Sequence, residues 1–145
     1  MTRSRFHAAA LDGLGRIDAF RECSRKELAA VDRLTTETSV PDGAVLCREG
    51  GLGQESFVIV DGEATVTVNG IEVARVGPGT FCGEMALLEH GVRCATVTAE
   101  MPMRVLVLSI REFDELLAAA PTVTQRMLAE LSSRLRTADH HVAAV

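Results

Sequence analysis

The chain has 145 residues, a formal net charge of −5 and a pI near 5.4, with 3% aromatic residues and no Trp or Tyr. That length supports one core and one ordinary domain, and 47% hydrophobic with 24% charged residues is globular rather than disordered composition. An acidic chain poor in stacking aromatics carries no electrostatic footprint for direct nucleic-acid binding.

No stretch approaches the run of about 18 apolar residues that spans a bilayer, so membrane insertion is not expected. The N-terminus, MTRSRFHAAALDG, lacks the apolar core of a secretion signal, and a cytoplasmic location is the default. The first 36 residues read as helical. Ser24-x-x-Glu27 is a capping-box pattern, and Leu28, Val31 and Leu34 follow at helical spacing, which predicts a helix over 24–34.

From Glu37 to Ser109 the texture changes to short apolar runs separated by turn residues. Strands are predicted over 45–48, 56–60, 93–98 and 105–109, with turns at Asp42-Gly43, Gly50–Gly53, Asp61-Gly62 and Gly77-Pro78-Gly79. Asn69-Gly70, between Ala64–Val68 and Ile71–Val76, predicts a type I′ hairpin, because both loop residues tolerate positive φ. A two-residue loop sets Val68 opposite Ile71, Thr67 opposite Glu72 and Val66 opposite Val73. So many short strands need a sandwich or barrel to hide their edges.

After the strands, Ser109-x-x-Glu112 is a second capping box, opening a helix over 110–119 that Pro121 ends. Thr122-x-x-Gln125 is read as the start of the last helix, with Leu128, Leu131, Leu135 and Val142 on a near-heptad stripe whose simplest role is to pack on the barrel. The organisation is a helical part over 1–36, a barrel over 37–109 and C-terminal helices over 110–140.

The cysteines, Cys23, Cys47, Cys82 and Cys94, form no CxxC pair, and His7, His90, His140 and His141 are not at metal spacing with them. Neither a metal site nor a cofactor is expected. No nucleophile, base and orienter stand together, so the chain is not read as an enzyme. Cys82 and Cys94 flank Glu84 and Arg93, and a thiol near an arginine and a helix N-terminus can have a depressed pKa, which defines a redox-sensor alternative.

The segment Phe81–Val97, FCGEMALLEHGVRCATV, sets Glu84 and Arg93 nine residues apart around an apolar run. Gly83 permits a close backbone approach, Glu84–Leu88 is helix-friendly, and free N–H groups with a guanidinium suit an anion. Glu84 cannot hold that anion and needs a donor, such as a sugar hydroxyl. The pattern suits a ligand with a single phosphate beside a free hydroxyl, and a cyclic nucleotide meets it. The plain alternative is an ion pair between Glu84 and Arg93 that closes the loop.

Gly83-Glu84-Met85-Ala86-Leu87-Leu88 and Arg93-Cys94-Ala95-Thr96-Val97 resemble the phosphate-binding cassette of the cyclic nucleotide-binding domain family. Kinase regulatory subunits, gated channels and the bacterial catabolite activator share it. Pro41-Asp42-Gly43, Arg48-Glu49-Gly50 and Val58-Ile59-Val60-Asp61-Gly62 resemble its early barrel turns and strand, and the likeness covers roughly 17–140. The resemblance implies a single domain that is mainly β with flanking helices: an antiparallel jelly-roll β-barrel of about eight strands, a short phosphate-binding helix, an N-terminal helix and two C-terminal helices.

It further implies that Glu84 accepts from a ribose 2′-OH, that Gly83 lies against the ribose, and that Arg93 faces the phosphate with the N–H groups of Ala86, Leu87 and Ala95. The implied site is Gly83, Glu84, Met85, Ala86, Leu87, Arg93, Cys94 and Ala95. Two positions depart from the family pattern: Val92 where Pro is frequent, and Cys94 where cGMP-preferring members often have Thr. A thiol is a weak donor, which favours cAMP over cGMP. The implied role is a receptor domain that couples ligand binding to movement of its C-terminal helices and acts on a separate effector or by self-association. A ligand-free interaction module of the same fold is the alternative.

Overall fold

The computed structural model describes residues 3–4, 11–89 and 91–143. In chain order these form β1 (Arg3–Ser4), α1 (Leu11–Gly15), a 3-10 turn (Asp18–Phe20), α2 (Arg25–Leu34), β2 (Thr36–Val40), β3 (Val45–Cys47), β4 (Glu55–Asp61), β5 (Ala64–Val68), β6 (Ile71–Val76), β7 (Phe81–Cys82), α3 (Glu84–Glu89), β8 (Thr96–Ala99), β9 (Met103–Ser109), α4 (Ile110–Ala119) and α5 (Pro121–Ala143). The strands make two antiparallel sheets, β1-β2-β9-β4-β7 and β3-β8-β5-β6. This is the expected jelly roll with flanking helices.

The middle of the five-stranded sheet, β4 and β9, is buried on both faces, which explains the apolar run Val105–Leu108 of β9. Val105 and Val107 point, with Phe57 and Ile59 of β4, into a core between the sheets that also holds Val40, Cys47, Ala64, Cys82 and Val97. Their neighbours Leu106 and Leu108, with Val58, point to a second core, where Leu28, Val31, Phe113, Leu116, Val123 and Met127 bring the helices onto the sheet. Alternation with period two thus serves two layers. Phe20 meets Phe81 edge to face, with centroids 6.5 Å apart and planes at 83°, and so ties the N-terminal turn to β7.

Both capping boxes form at Ser24/Glu27 and Ser109/Glu112. Four sequence expectations need correction. Residues 1–36 are not wholly helical, since β1 pairs with Glu37 and Thr38 on the open edge of β2. The Asn69-Gly70 loop has the required positive φ at both residues, 52° and 78°, and Val68↔Ile71 and Thr67↔Glu72 pair as expected, but Val66 pairs with Ala74. The register shift between Val66 and Thr67 leaves Val73 as the extra residue of a bulge.

The last helix begins at Pro121, the favoured first helical position for proline. Thr122 is not boxed by Gln125; its N–H and Oγ1 both donate to the Glu27 carboxylate, each at 2.8 Å. The buried face of α5 is Val123, Met127 and half-buried Leu131 at i, i+4 spacing. Leu128 and Leu135 are 59% and 63% exposed, so two members of the predicted stripe face away from the barrel. The side chain of Val142 lies outside the described residues.

Candidate ligand-binding site

Glu84 opens α3 directly after the β7 strand, and Gly83 makes the junction at φ +82°. A Cβ on Gly83 would lie 2.5 Å from Arg93 Nη1 and 3.2 Å from the Glu55 carbonyl oxygen, so glycine is required by both conformation and space. Arg93 is delivered by a loop that runs as a short ladder along Gly50–Gly53. Its N–H donates to the Gly51 carbonyl at 2.8 Å, Gly50 N–H donates to its carbonyl at 2.9 Å, and Leu52 bridges Val92. The glycine-rich turn of the sequence is therefore a positioning device for the arginine.

The acid and the base do not pair with each other. Arg93, 8% exposed, donates from Nη1 to the Gly83 carbonyl at 2.8 Å and from Nη2 to the Glu55 carbonyl at 2.6 Å. A guanidinium has five N–H donors, so two carbonyls fix its plane and leave donors for what it faces. Glu84, 1% exposed, accepts from Arg134 Nη1 of α5 at 2.8 Å through Oε1. Its other oxygen, Oε2, is buried and accepts no hydrogen bond among the described residues.

Both residues line a cavity of about 520 Å³. It is lined by Cys82, Gly83 and Glu84, by Arg93, Cys94 and Ala95, and by Arg134 of α5. The remaining wall is apolar: Val66 and Val68 of β5, Val73, Ala74 and Val76 of β6, with Cys47 of β3 and Val97 of β8. The bulge explains how consecutive residues Val73 and Ala74 both face the same space.

Of the eight expected site residues, Gly83, Glu84, Arg93, Cys94 and Ala95 come together on the cavity. Leu87 does not; its side chain is 1% exposed within the helix-side core, leaving only its backbone for a ligand. Met85 and Ala86 follow Glu84 in α3, and their side chains lie outside the described residues. His90, His140 and His141 lie outside them as well, His90 entirely and the other two by their side chains.

The residue that sequence reasoning missed is Arg134. Besides Glu84, its Nη2 donates to the Phe81 carbonyl at 2.8 Å and to Glu130. Glu130 one turn earlier was the available signal, an acid at i−4 able to orient the arginine; Glu84 is remote in sequence and gave none. Burial pushes the Glu130 carboxyl up, with Arg134 pulling against it and Glu84 adding to it.

The depressed thiol that the redox-sensor alternative needs is not found at Cys82. Burial, with the neighbouring Cys47 and Glu84 adding to it, raises that thiol well above the ordinary value. Cys47 is pushed up by burial to about 11. Both are inert small hydrophobes of the core at neutral pH, and Cys94 is the exposed thiol of the site.

The cyclic nucleotide-binding domain matches residues 37–120. A cyclic nucleotide-gated potassium channel of Mesorhizobium japonicum is 34% identical over 75% of this chain, which covers 30% of the channel. The cyclic AMP receptor protein of Thermus thermophilus is 33% identical over 68% of the chain, which covers 48% of that protein. The chain thus spans less than half the length of these relatives. The crystal structure of the Thermus thermophilus catabolite activator protein superimposes with a TM-score of 0.77 at 27% identity, covering 88% of this chain and 62% of that one. With the cassette residues gathered on one cavity inside this jelly roll, the chain belongs to the cyclic nucleotide-binding domain family.

Proposed function

We propose that this single domain is a cytoplasmic receptor for a 3′,5′-cyclic nucleotide, with cAMP favoured over cGMP, and that occupancy is relayed through α5 to a separate effector or a second copy. The observation that carries this reading is Glu84 Oε2, a buried carboxylate oxygen beside a cavity that accepts no hydrogen bond among the described residues. An unmet buried acceptor is costly, and a ribose 2′-OH supplies the missing donor. Arg93, fixed by the Gly83 and Glu55 carbonyls, is then the charge for the cyclic phosphate, with the N–H groups of Ala86 and Ala95 beside it.

A ligand-free interaction module predicts either a Glu84–Arg93 pair or a cavity filled by side chains. The acid and base have separate partners and the cavity is open, which supports the receptor reading. The link to α5 is Arg134, which occupies Oε1 and leaves Oε2 to the ligand. Ligand and helix then share one carboxylate, and binding at one oxygen shifts the helix only as far as the two helix arrangements differ in affinity.

Calorimetry with cAMP and cGMP tests the reading. Wild type binds; Glu84→Gln and Arg93→Ala each weaken binding about 10- to 100-fold, the range for a lost charge-assisted hydrogen bond, while circular dichroism stays unchanged. Cys94→Thr, which adds a hydroxyl donor, narrows the preference for cAMP. Absence of both heat and thermal shift at millimolar ligand sinks the receptor reading.

A further inference from the structure

We infer that Glu49 is a positioning residue of this cavity: it fastens the tip of the β5–β6 hairpin to the loop that carries Arg93, so that two sides of the cavity are set as one unit. The inference deepens the receptor reading above, on which it rests, and gives a role to a residue that the reading leaves without one.

The tip needs a fastening from outside the hairpin. β8 pairs with β5 from Ala64 to Thr67 and β6 is an edge strand, so Val68, Asn69, Gly70 and Ile71 project beyond the end of the β5–β8 ladder. The register shift between Val66 and Thr67 interrupts the β5–β6 ladder just before them. In a two-residue loop the closing ladder pair is Val68 and Ile71, which leaves the Asn69 N–H to find its own partner. Val68 and Val73 both line the cavity, so the position of this overhang shapes the cavity wall.

Glu49 supplies that fastening through both side chain and backbone. Its Oε1 accepts from the Asn69 N–H at 2.9 Å, a charge-assisted bond, and its own N–H donates to Thr96 Oγ1 at the start of β8, at 3.0 Å. The next residue, Gly50, donates its N–H to the Arg93 carbonyl, and the Gly51 carbonyl accepts from the Arg93 N–H. Glu49 therefore stands where the arginine loop, β8 and the hairpin tip meet. A wall held in place before the ligand arrives has less freedom to lose on binding. One hydrogen bond of this kind shifts affinity about three- to tenfold, and linkage requires the ligand to strengthen the fastening as much as the fastening strengthens the ligand. A carboxylate acting through its charge alone would do the opposite, because it would repel an anionic ligand.

Calorimetric titration of wild type, Glu49→Ala and Glu49→Gln with cAMP and cGMP, with amide exchange of the same chains followed by NMR, tests the assignment. Glu49→Ala is expected to bind about three- to tenfold more weakly than wild type, and Glu49→Gln, which keeps an acceptor oxygen, to recover most of that loss. In the ligand-free chains Glu49→Ala should speed exchange at Asn69 and Gly70 and leave the amides of β8 unchanged. Saturating ligand should slow exchange at Asn69 in wild type and fail to do so in Glu49→Ala. A purely structural role would lower the melting temperature of Glu49→Ala and leave its ligand affinity unchanged. That result, tighter binding by Glu49→Ala, or Glu49→Gln as weak as Glu49→Ala overturns the inference while wild type still binds. Wild type that binds neither nucleotide defeats the receptor reading itself, a different outcome.

Discussion

At Gly83 two requirements coincide, a left-handed backbone at φ +82° and a guanidinium nitrogen 2.5 Å from where a Cβ would stand. Gly83→Ala is therefore expected to displace Arg93 as well as strain the junction. Binding should fall about as far as in Arg93→Ala, and urea unfolding should show a loss of about 1–2 kcal/mol, the cost of that conformation for an L-residue. Thermal stability unchanged together with full binding contradicts the geometry described for the arginine. At this scale the sequence was informative where chemistry is local: Glu84, Arg93 and Gly83 lie in one segment, and their residue types narrow what they can hold. Arg134 was illegible because its partners, Glu84 and the Phe81 carbonyl, are set by how α5 crosses the barrel, and no local spacing encodes that.

Among the elements, α5 is fastened at two places. Its base is held by Thr122 on Glu27 and by Arg126 on Asp18. Twelve residues beyond Thr122, about 18 Å along a helix, Arg134 holds Glu84. Arg134→Ala is expected to weaken ligand binding about tenfold, since it leaves a buried carboxylate without its charged donor. It should also speed amide exchange in the last turns of α5 while the turns near Thr122 keep their protection. Uniform exchange along the helix would contradict two separate fastenings.

The lower fastening is sensitive to acid. The Ser24 N–H and then the Thr122 donors hold the Glu27 carboxyl below the ordinary carboxylate value. A depressed carboxyl contributes stability that is present above the unfolded value, near 4.3, and is lost as pH falls through the folded one. Glu27→Gln should lower stability at pH 7 by about 1 kcal/mol, the scale of a lost hydrogen bond, and the gap in melting temperature from wild type should narrow as pH falls below the ordinary carboxylate range. The capping boxes and the Asn-Gly loop were legible because their signals span three or four residues. The bulge at Val73, the double role of Glu27 and the outward turn of Leu128 and Leu135 were not, because each depends on a surface far along the chain.

For the whole molecule, alternation of texture between helical and strand segments was enough to show a sandwich or barrel flanked by helices, since so many short strands have few ways to bury themselves, and the jelly roll followed from the family resemblance of the cassette. Which residues of β4 and β9 face which core needed the structure, because both faces are apolar and periodicity alone assigns neither. One of the two cores is continuous with the cavity: Cys47, Cys82 and Val97 belong to both. A bound nucleotide then extends that core, and ligand at about 100 times its dissociation constant should stabilise the fold by about 2.7 kcal/mol. At this chain length that raises the melting temperature by roughly 10 °C, readable by differential scanning fluorimetry and absent in Arg93→Ala at the same concentration.

The rim of that cavity is β6, an edge strand zipped only to β5 and exposed from Ile71 to Arg75. Edge hairpins open locally well before a domain unfolds. A nucleotide resting on Val66 and Ala74 would lie between this hairpin and α5, both of which line the cavity. Fraying of that sheet margin is then expected to shorten the residence time, so that the off-rate should rise with whatever loosens the Asn69-Gly70 turn.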